Sequence, residues 1–202
     1  MTLVHAISTA RNNGELIAQV ASLHAPADAL DRWLVLDPTP GRGGMWKCWR
    51  PRRLVASRLD FTRPLGMPAT FDLVLFDPPY VAKGGKATKA SVADHDDRYG
   101  REHRHDRKTA LTPAEVHRLV TEGMARCAET VRPGGQLWVK SADYVTSGHV
   151  VWGNHDVRTT GRELGLAQVD EFFLRSTSPQ PAHARQVHAR RGFSLLTVWR
   201  KP

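Results

Sequence analysis

A carboxylate, two prolines and a phenol, Asp77-Pro78-Pro79-Tyr80, close an apolar run that begins at Phe71. These residue types can handle a weakly nucleophilic amine. Proline fixes φ, and the residue before a proline is driven to extended geometry, so the turn after Asp77 is rigid and its carbonyls point in set directions. The exocyclic amine of a nucleobase is a poor nucleophile because its lone pair is delocalised into the ring. An Asp77 carboxylate and a Pro78 carbonyl can accept its two N–H bonds, turn the nitrogen toward tetrahedral geometry and free the lone pair for in-line attack on a methyl group. Preorganised acceptors stabilise the charge that builds on nitrogen without a covalent step. Tyr80 offers a face on which an extruded base can stack. Taken alone, the tetrapeptide is equally a strand followed by a proline turn, so its surroundings decide.

A second acid-tipped apolar run lies upstream. Leu36-Asp37-Pro38-Thr39-Pro40-Gly41-Arg42-Gly43-Gly44 reads as a strand running into a glycine turn. In a doubly wound α/β fold a nucleotide-like ligand sits at such a point, and glycines let the backbone approach it. A lone Gly-x-Gly is weak, but two such strands, each ending in Asp, point to one site. Leu59-Asp60-Phe61-Thr62 offers a third acid, and Lys140 follows a later apolar run. The polar segment 81–111 is long for a compact domain and carries Arg98-Tyr99-Gly100, suited to closing over a target base. Segment 176–193 holds His183, Arg185, His188, Arg190 and Arg191 and no acid; from Phe172 to the end there are six Lys or Arg and no acid. Phosphate contacts are the natural use of such a stretch and predict salt-sensitive binding.

The elements that must position these residues follow from periodicity. Residues 13–24 form a helix with Leu16, Ile17, Val20 and Leu23 on one face. Residues 33–37, 54–56 and 72–77 read as short strands, of which the first and third are buried on both faces. Thr112-Pro113-Ala114-Glu115 is a capping box with proline at the first helical position. The helix that follows is expected to run until Pro133-Gly134-Gly135 ends it. A strand at 136–141, a weaker helix at 154–164 and strands at 168–175 and 194–200 complete the chain. Alternating strands and helices predict a single α/β domain over 1–202 with a mostly parallel, twisted sheet. The segments 81–111 and 176–193 are its substrate-facing loops.

The chain has 202 residues, 41% hydrophobic and 24% charged, which suits one globular domain. Its 29 Lys and Arg against 20 Asp and Glu give a net charge of +9, an excess that favours a polyanion. Two cysteines without a Cys-x-x-Cys pair exclude a zinc knuckle or a disulfide framework. The spacing of His103-Arg104-His105-Asp106 fits no common zinc site, so no metal is expected. The first residues lack a leader pattern and no run is apolar enough to span a membrane, so a cytoplasmic protein is expected.

These motifs together resemble class I S-adenosylmethionine-dependent methyltransferases, in particular the amino-methyltransferases with DPPY-type motifs. The resemblance runs from about residue 33 to the C terminus. Asp37–Gly43 looks like the family's methionine-cradling motif, which implies cofactor contacts from Asp37, Pro38, Thr39, Gly41 and Gly43. Asp77–Tyr80 looks like its catalytic motif, and Arg132-Pro133-Gly134-Gly135 like the turn before its fifth strand. Patterns at 41–51, 98–100 and 140–148 are similar to small enzymes of actinobacteria and their phages. The resemblance implies a Rossmann-like sheet with an antiparallel C-terminal edge, S-adenosylmethionine as cofactor, and a base amine as acceptor. Adenine N6 in DNA stands slightly ahead of RNA; cytosine N4 and guanine N2 stay open, as does a nucleic-acid-binding module without turnover. Neither cysteine follows a proline, as ring-carbon methylation in a related family would require. One departure stands out: too few residues separate Gly43 from Asp60 for two ordinary strand–helix units. The sheet is therefore expected to be reduced around its second strand, with Asp60 and Phe61 resembling the family's third-strand contact to the adenine.

Overall fold

The computed structural model describes residues 4–57, 59–79, 112–176, 188–189 and 191–202. The elements are α1 (Asn13–His24), α2 (Ala29–Arg32), β1 (Leu34–Asp37), a 3-10 turn (Gly44–Trp46), β2 (Arg53–Ala56), β3 (Phe71–Phe76), α3 (Pro113–Thr130), β4 (Val131–Ser141), β5 (Tyr144–Thr146), β6 (His149–Val151), α4 (Gly153–Glu163), β7 (Ala167–Arg175) and β8 (Phe193–Arg200). Six strands form one sheet in the order β2-β1-β3-β4-β8-β7. The strands from β2 to β4 pair in parallel, and β8 runs antiparallel to both β4 and β7. This is the predicted mostly parallel sheet with an antiparallel C-terminal edge.

Side chains alternate across the sheet with a period of two. Val74 and Phe76 of β3 join Leu137 and Val139 of β4 beneath Val116, Val120 and Met124 of α3 and Val157 of α4. Leu73 and Leu75 join Trp138, Val35 and Val198 on the other face, beneath Leu16, Ile17 and Val20 of α1. The middles of the central strands are therefore mostly apolar, because helices cover both faces. Asn12 caps α1 by accepting from the Glu15 amide, and Thr112 and Glu115 form the predicted capping box on α3.

Two expectations need correction. Leu23 is 45% exposed rather than on the buried face of α1. Pro133-Gly134-Gly135 does not end α3: the helix stops at Thr130 and β4 begins at Val131. Phe71 and Leu73 of β3 pair with Val131 and Gln136 of β4, so residues 132–135 form a bulge within the strand. Gly134 has φ 73°, and a Cβ on Gly135 would lie 3.0 Å from the Phe71 carbonyl, so this bulge requires glycines. The Lys201 ammonium donates to the carbonyls of Ala128 and Val131, closing the C-terminal end of α3. The stretch after the glycine turn is short, as expected: β2 pairs with all four residues of β1, and among the described residues no strand lies beyond β2. The structure adds a hairpin, β5–β6, that periodicity did not suggest. Its turn residues Ser147 and Gly148 have φ of 47° and 77°, the left-handed pair of a tight hairpin turn.

Candidate functional site

β1 and β3 are neighbours, and both end in an aspartate at the carboxyl edge of the sheet. Asp37 is 1% exposed. Its Oδ1 accepts the Thr39 amide at 2.9 Å, and its Oδ2 accepts the Trp46 indole N–H at 2.6 Å. Burial pushes the Asp37 carboxyl up to about 7; the indole and the Thr39 amide pull it down, and the nearby Asp77 charge pushes it further up. Thr39 also joins the two motifs: its hydroxyl accepts the Asp77 backbone N–H at 2.9 Å. The glycine turn and the DPP turn are thus one hydrogen-bonded unit. Pro78 and Pro79 are buried, whereas Asp77 is half-buried.

The glycine turn leaves backbone open. Gly41 and Gly43 have φ of 50° and 72°, conformations that L side chains rarely adopt, and a Cβ on Gly43 would meet nothing within 4 Å. A Cβ on Gly14 would approach the Gly44 carbonyl to 3.0 Å, so α1 starts against this turn. Trp46 and Trp49, from the 41–51 pattern, anchor the turn from below. Trp49 stacks on Trp138 at 6.1 Å and meets Trp33 edge-on at 6.4 Å. Their contribution is packing and the bond to Asp37, which fixes where the turn stands.

The remaining expected residues fall into three groups. Asp60 lies past β2 and is half-buried; its Oδ1 accepts the Thr62 amide, and Arg63 pairs with its Oδ2 at 3.3 Å. Phe61 is fully buried, edge-on to Phe76 at 5.1 Å, so its ring belongs to the core. Lys140, whose place after its strand suits a substrate contact and a packing or salt-bridge role equally, is 2% exposed and donates to Asn13 Oδ1 at 2.7 Å. Burial pushes its ammonium below the ordinary lysine value, and the adjacent Asp77 charge opposes this. It ties β4 to the start of α1 beside Asp77, beneath the surface rather than on it. His188 and Arg191 sit near the hairpin: His188 Nε2 lies 2.8 Å from the Gly148 carbonyl, and the Arg191 guanidinium lies 4.7 Å from the centre of the Trp152 ring. Tyr80, Arg98, Tyr99, His183, Arg185 and Arg190 lie outside the described residues, as does His103–Asp106.

Sequence reasoning missed Asn13, which meets Lys140 only through the fold. It also missed the N-terminal segment, whose Ala6 and Ser8 bond to Phe173 at the edge of β7. The hairpin did leave a signal, a Ser-Gly turn pair between β-branched residues.

No family model matches the chain, and no curated protein matches it. Solved structures do. A Bacillus halodurans protein described as a methyltransferase has a TM-score of 0.53 at 11% identity, with 94% of this chain and 98% of that one covered. A Thermus thermophilus protein described as a DNA modification methylase, in complex with S-adenosylmethionine, matches with TM-score 0.41 and 16% identity over 67% of this chain. The chain spans about half the length of that protein, 47% of it. A Burkholderia thailandensis 1,6-didemethyltoxoflavin-N1-methyltransferase with bound 1,6-didemethyltoxoflavin and S-adenosylhomocysteine matches with TM-score 0.48 and 14% identity, over 94% of this chain and 78% of that one. The architecture is that of Rossmann-like class I methyltransferases.

Proposed function

We propose that this chain is an S-adenosylmethionine-dependent N-methyltransferase acting on an exocyclic amine of a nucleobase, with adenine N6 in DNA as the first choice. One observation carries the reading: the Thr39 hydroxyl holds the Asp77 amide, so the turn suited to a cofactor and the turn suited to an amine are a single rigid unit. The residues present fit the cofactor. Asp37 and Asp77 meet at adjacent strand ends and Asp60 follows β2, a local acidic cluster in a chain of net charge +9. S-adenosylmethionine is cationic at its sulfonium and its ammonium, and the open backbone at Gly43 leaves room for its methionine part. When bound, it supplies an electrophilic methyl group.

The chain's own residues do the rest. The Asp77 carboxylate and the Pro78 carbonyl accept the two N–H bonds of the amine and hold its lone pair in line. Buried Pro78 and Pro79 keep those acceptors from moving, so little reorganisation is needed as charge develops. Tyr80 stacks on the base. Lys140 and Asn13 fix Asp77's surroundings from below, and the basic C-terminal segment takes phosphates. A module that binds nucleic acid without turnover is the rival reading, favoured by the absence of a strand beyond β2 among the described residues.

The test is transfer from labelled S-adenosylmethionine to DNA and RNA in parallel, with the acceptor digested to nucleosides and analysed by mass spectrometry. N6-methyladenine that disappears with Asp77→Ala is the expected result. Cofactor binding with no methylated nucleoside from either polymer sinks the reading.

A further inference from the structure

The carboxyl end of β4 leads into the β5–β6 hairpin, which returns to the same place: a Cβ on Gly153 would collide with the Ala142 carbonyl. Trp152 therefore stands next to the chain two residues beyond Lys140, on the edge of the sheet that carries Asp37 and Asp77. Its environment is unusual for this protein. Trp33, Trp46, Trp138 and Trp199 are at most 9% exposed, whereas Trp152 is 53% exposed. Nothing in the core requires an indole there, and a large aromatic left in water costs hydrophobic free energy.

What surrounds it is cationic. Arg191 lies over the ring, and its Nε is buried with no hydrogen-bond partner among the described residues. The Gly148 carbonyl can only accept, so His188 must donate from Nε2, and this bond pins the end of the basic segment to the hairpin turn. The acids that flank the hairpin in the chain have partners: Asp143 accepts the Asn154 amide, and Asp156 pairs with His117. An exposed aromatic face flanked by an arginine, with no free carboxylate beside it among the described residues, matches a base lying against its own phosphate.

We propose that Trp152, Arg191 and His188 form a docking platform for the DNA strand beside the target nucleotide, with a neighbouring base stacked on Trp152 and a phosphate held by Arg191. This rests on the nucleic-acid reading above, and it assigns part of the strand's path to a hairpin outside the catalytic turn. Stacking on an aromatic side chain tolerates any base, so the platform adds affinity without sequence preference. Because Trp152 follows the strand end that holds Lys140, the platform also sets which side of the target the strand leaves by.

The experiment measures binding of the full chain, with S-adenosylhomocysteine present, to fluorescein-labelled DNA and to RNA of the same sequence, by anisotropy over a range of salt. Trp152→Ala is expected to weaken DNA binding about 5- to 150-fold with the salt slope unchanged, and Trp152→Phe to recover most of the loss. Arg191→Gln is expected to lower the slope of log K against log salt by about one. Thermal unfolding of each variant checks the fold, and Trp152→Leu, which keeps apolar bulk but offers no ring to stack on, keeps the test open if the alanine variant is unstable. DNA binding by Trp152→Ala or Trp152→Leu equal to wild type, with Arg191→Gln keeping the full salt slope, overturns the platform and leaves the catalytic reading standing. Loss with RNA alone overturns the assignment to DNA. A wild-type chain that binds neither polymer at low salt overturns the platform together with the nucleic-acid reading.

Discussion

Asp37 should make this protein less stable as the solution turns from acid to neutral. The carboxyl is almost wholly out of water, and its value moves from 3.8 to about 7 on folding, chiefly by burial. A group whose folded value is raised binds its proton more tightly in the native state. Its stabilising contribution is therefore complete below about pH 4 and is lost as pH rises through 7. The full difference corresponds to about 4 kcal/mol, of which roughly 2.5 kcal/mol falls between pH 5 and pH 8. Urea unfolding of the cofactor-free chain at these two pH values should show that loss in the wild type. Asp37→Asn cannot titrate and should lack it, while keeping one of the two hydrogen bonds from Thr39 and Trp46. Trp46→Phe should cost more at pH 8 than at pH 5, because a hydrogen bond to a charged acceptor contributes about 1.5–3 kcal/mol and one to a neutral acceptor about 1 kcal/mol. Parallel stability profiles for wild type and Asp37→Asn would refute the argument, and with it the claim that burial outweighs the two hydrogen bonds.

Two other outcomes follow from the same geometry. Thr39→Val removes the acceptor of the Asp77 amide at a site 6% exposed; kcat for methyl transfer should fall up to about 100-fold, with KM for DNA little changed and Thr39→Ser close to wild type. Gly123→Ala places a methyl group against the Phe76 ring and 2.7 Å from the Phe61 ring, and should destabilise the chain by about 1–3 kcal/mol in urea unfolding, as overpacking beneath α3.

Local chemistry decided most of what could be read in advance. Asn13–His24 follows from the spacing of Leu16, Ile17 and Val20, and α3 from Thr112, Pro113 and Glu115. Asp37 and Asp77 were legible as strand ends because an apolar run that stops at an acid and a proline has one simple reading. The Pro133–Gly135 turn was misplaced because the same residues can stop a helix or bulge a strand, and only the pairing of β3 with β4 selects between them. Leu23 kept the helical period but met no neighbour to bury it.

The sequence by itself determined the main helices and strands, the order of the acidic strand ends and the excess of positive charge, since these depend on residues near one another in the chain or on simple counts. Only the tertiary structure decided which of them share a site. Thr39 meets the Asp77 amide, Lys140 meets Asn13, and Arg191 meets Trp152 across separations that no local pattern encodes. The fold also decided burial: the packing of α3 and α1 against the sheet places the Phe61 ring and the Lys140 ammonium inside. Burial is a property of everything that surrounds a residue, and it exists only once the chain has closed around it.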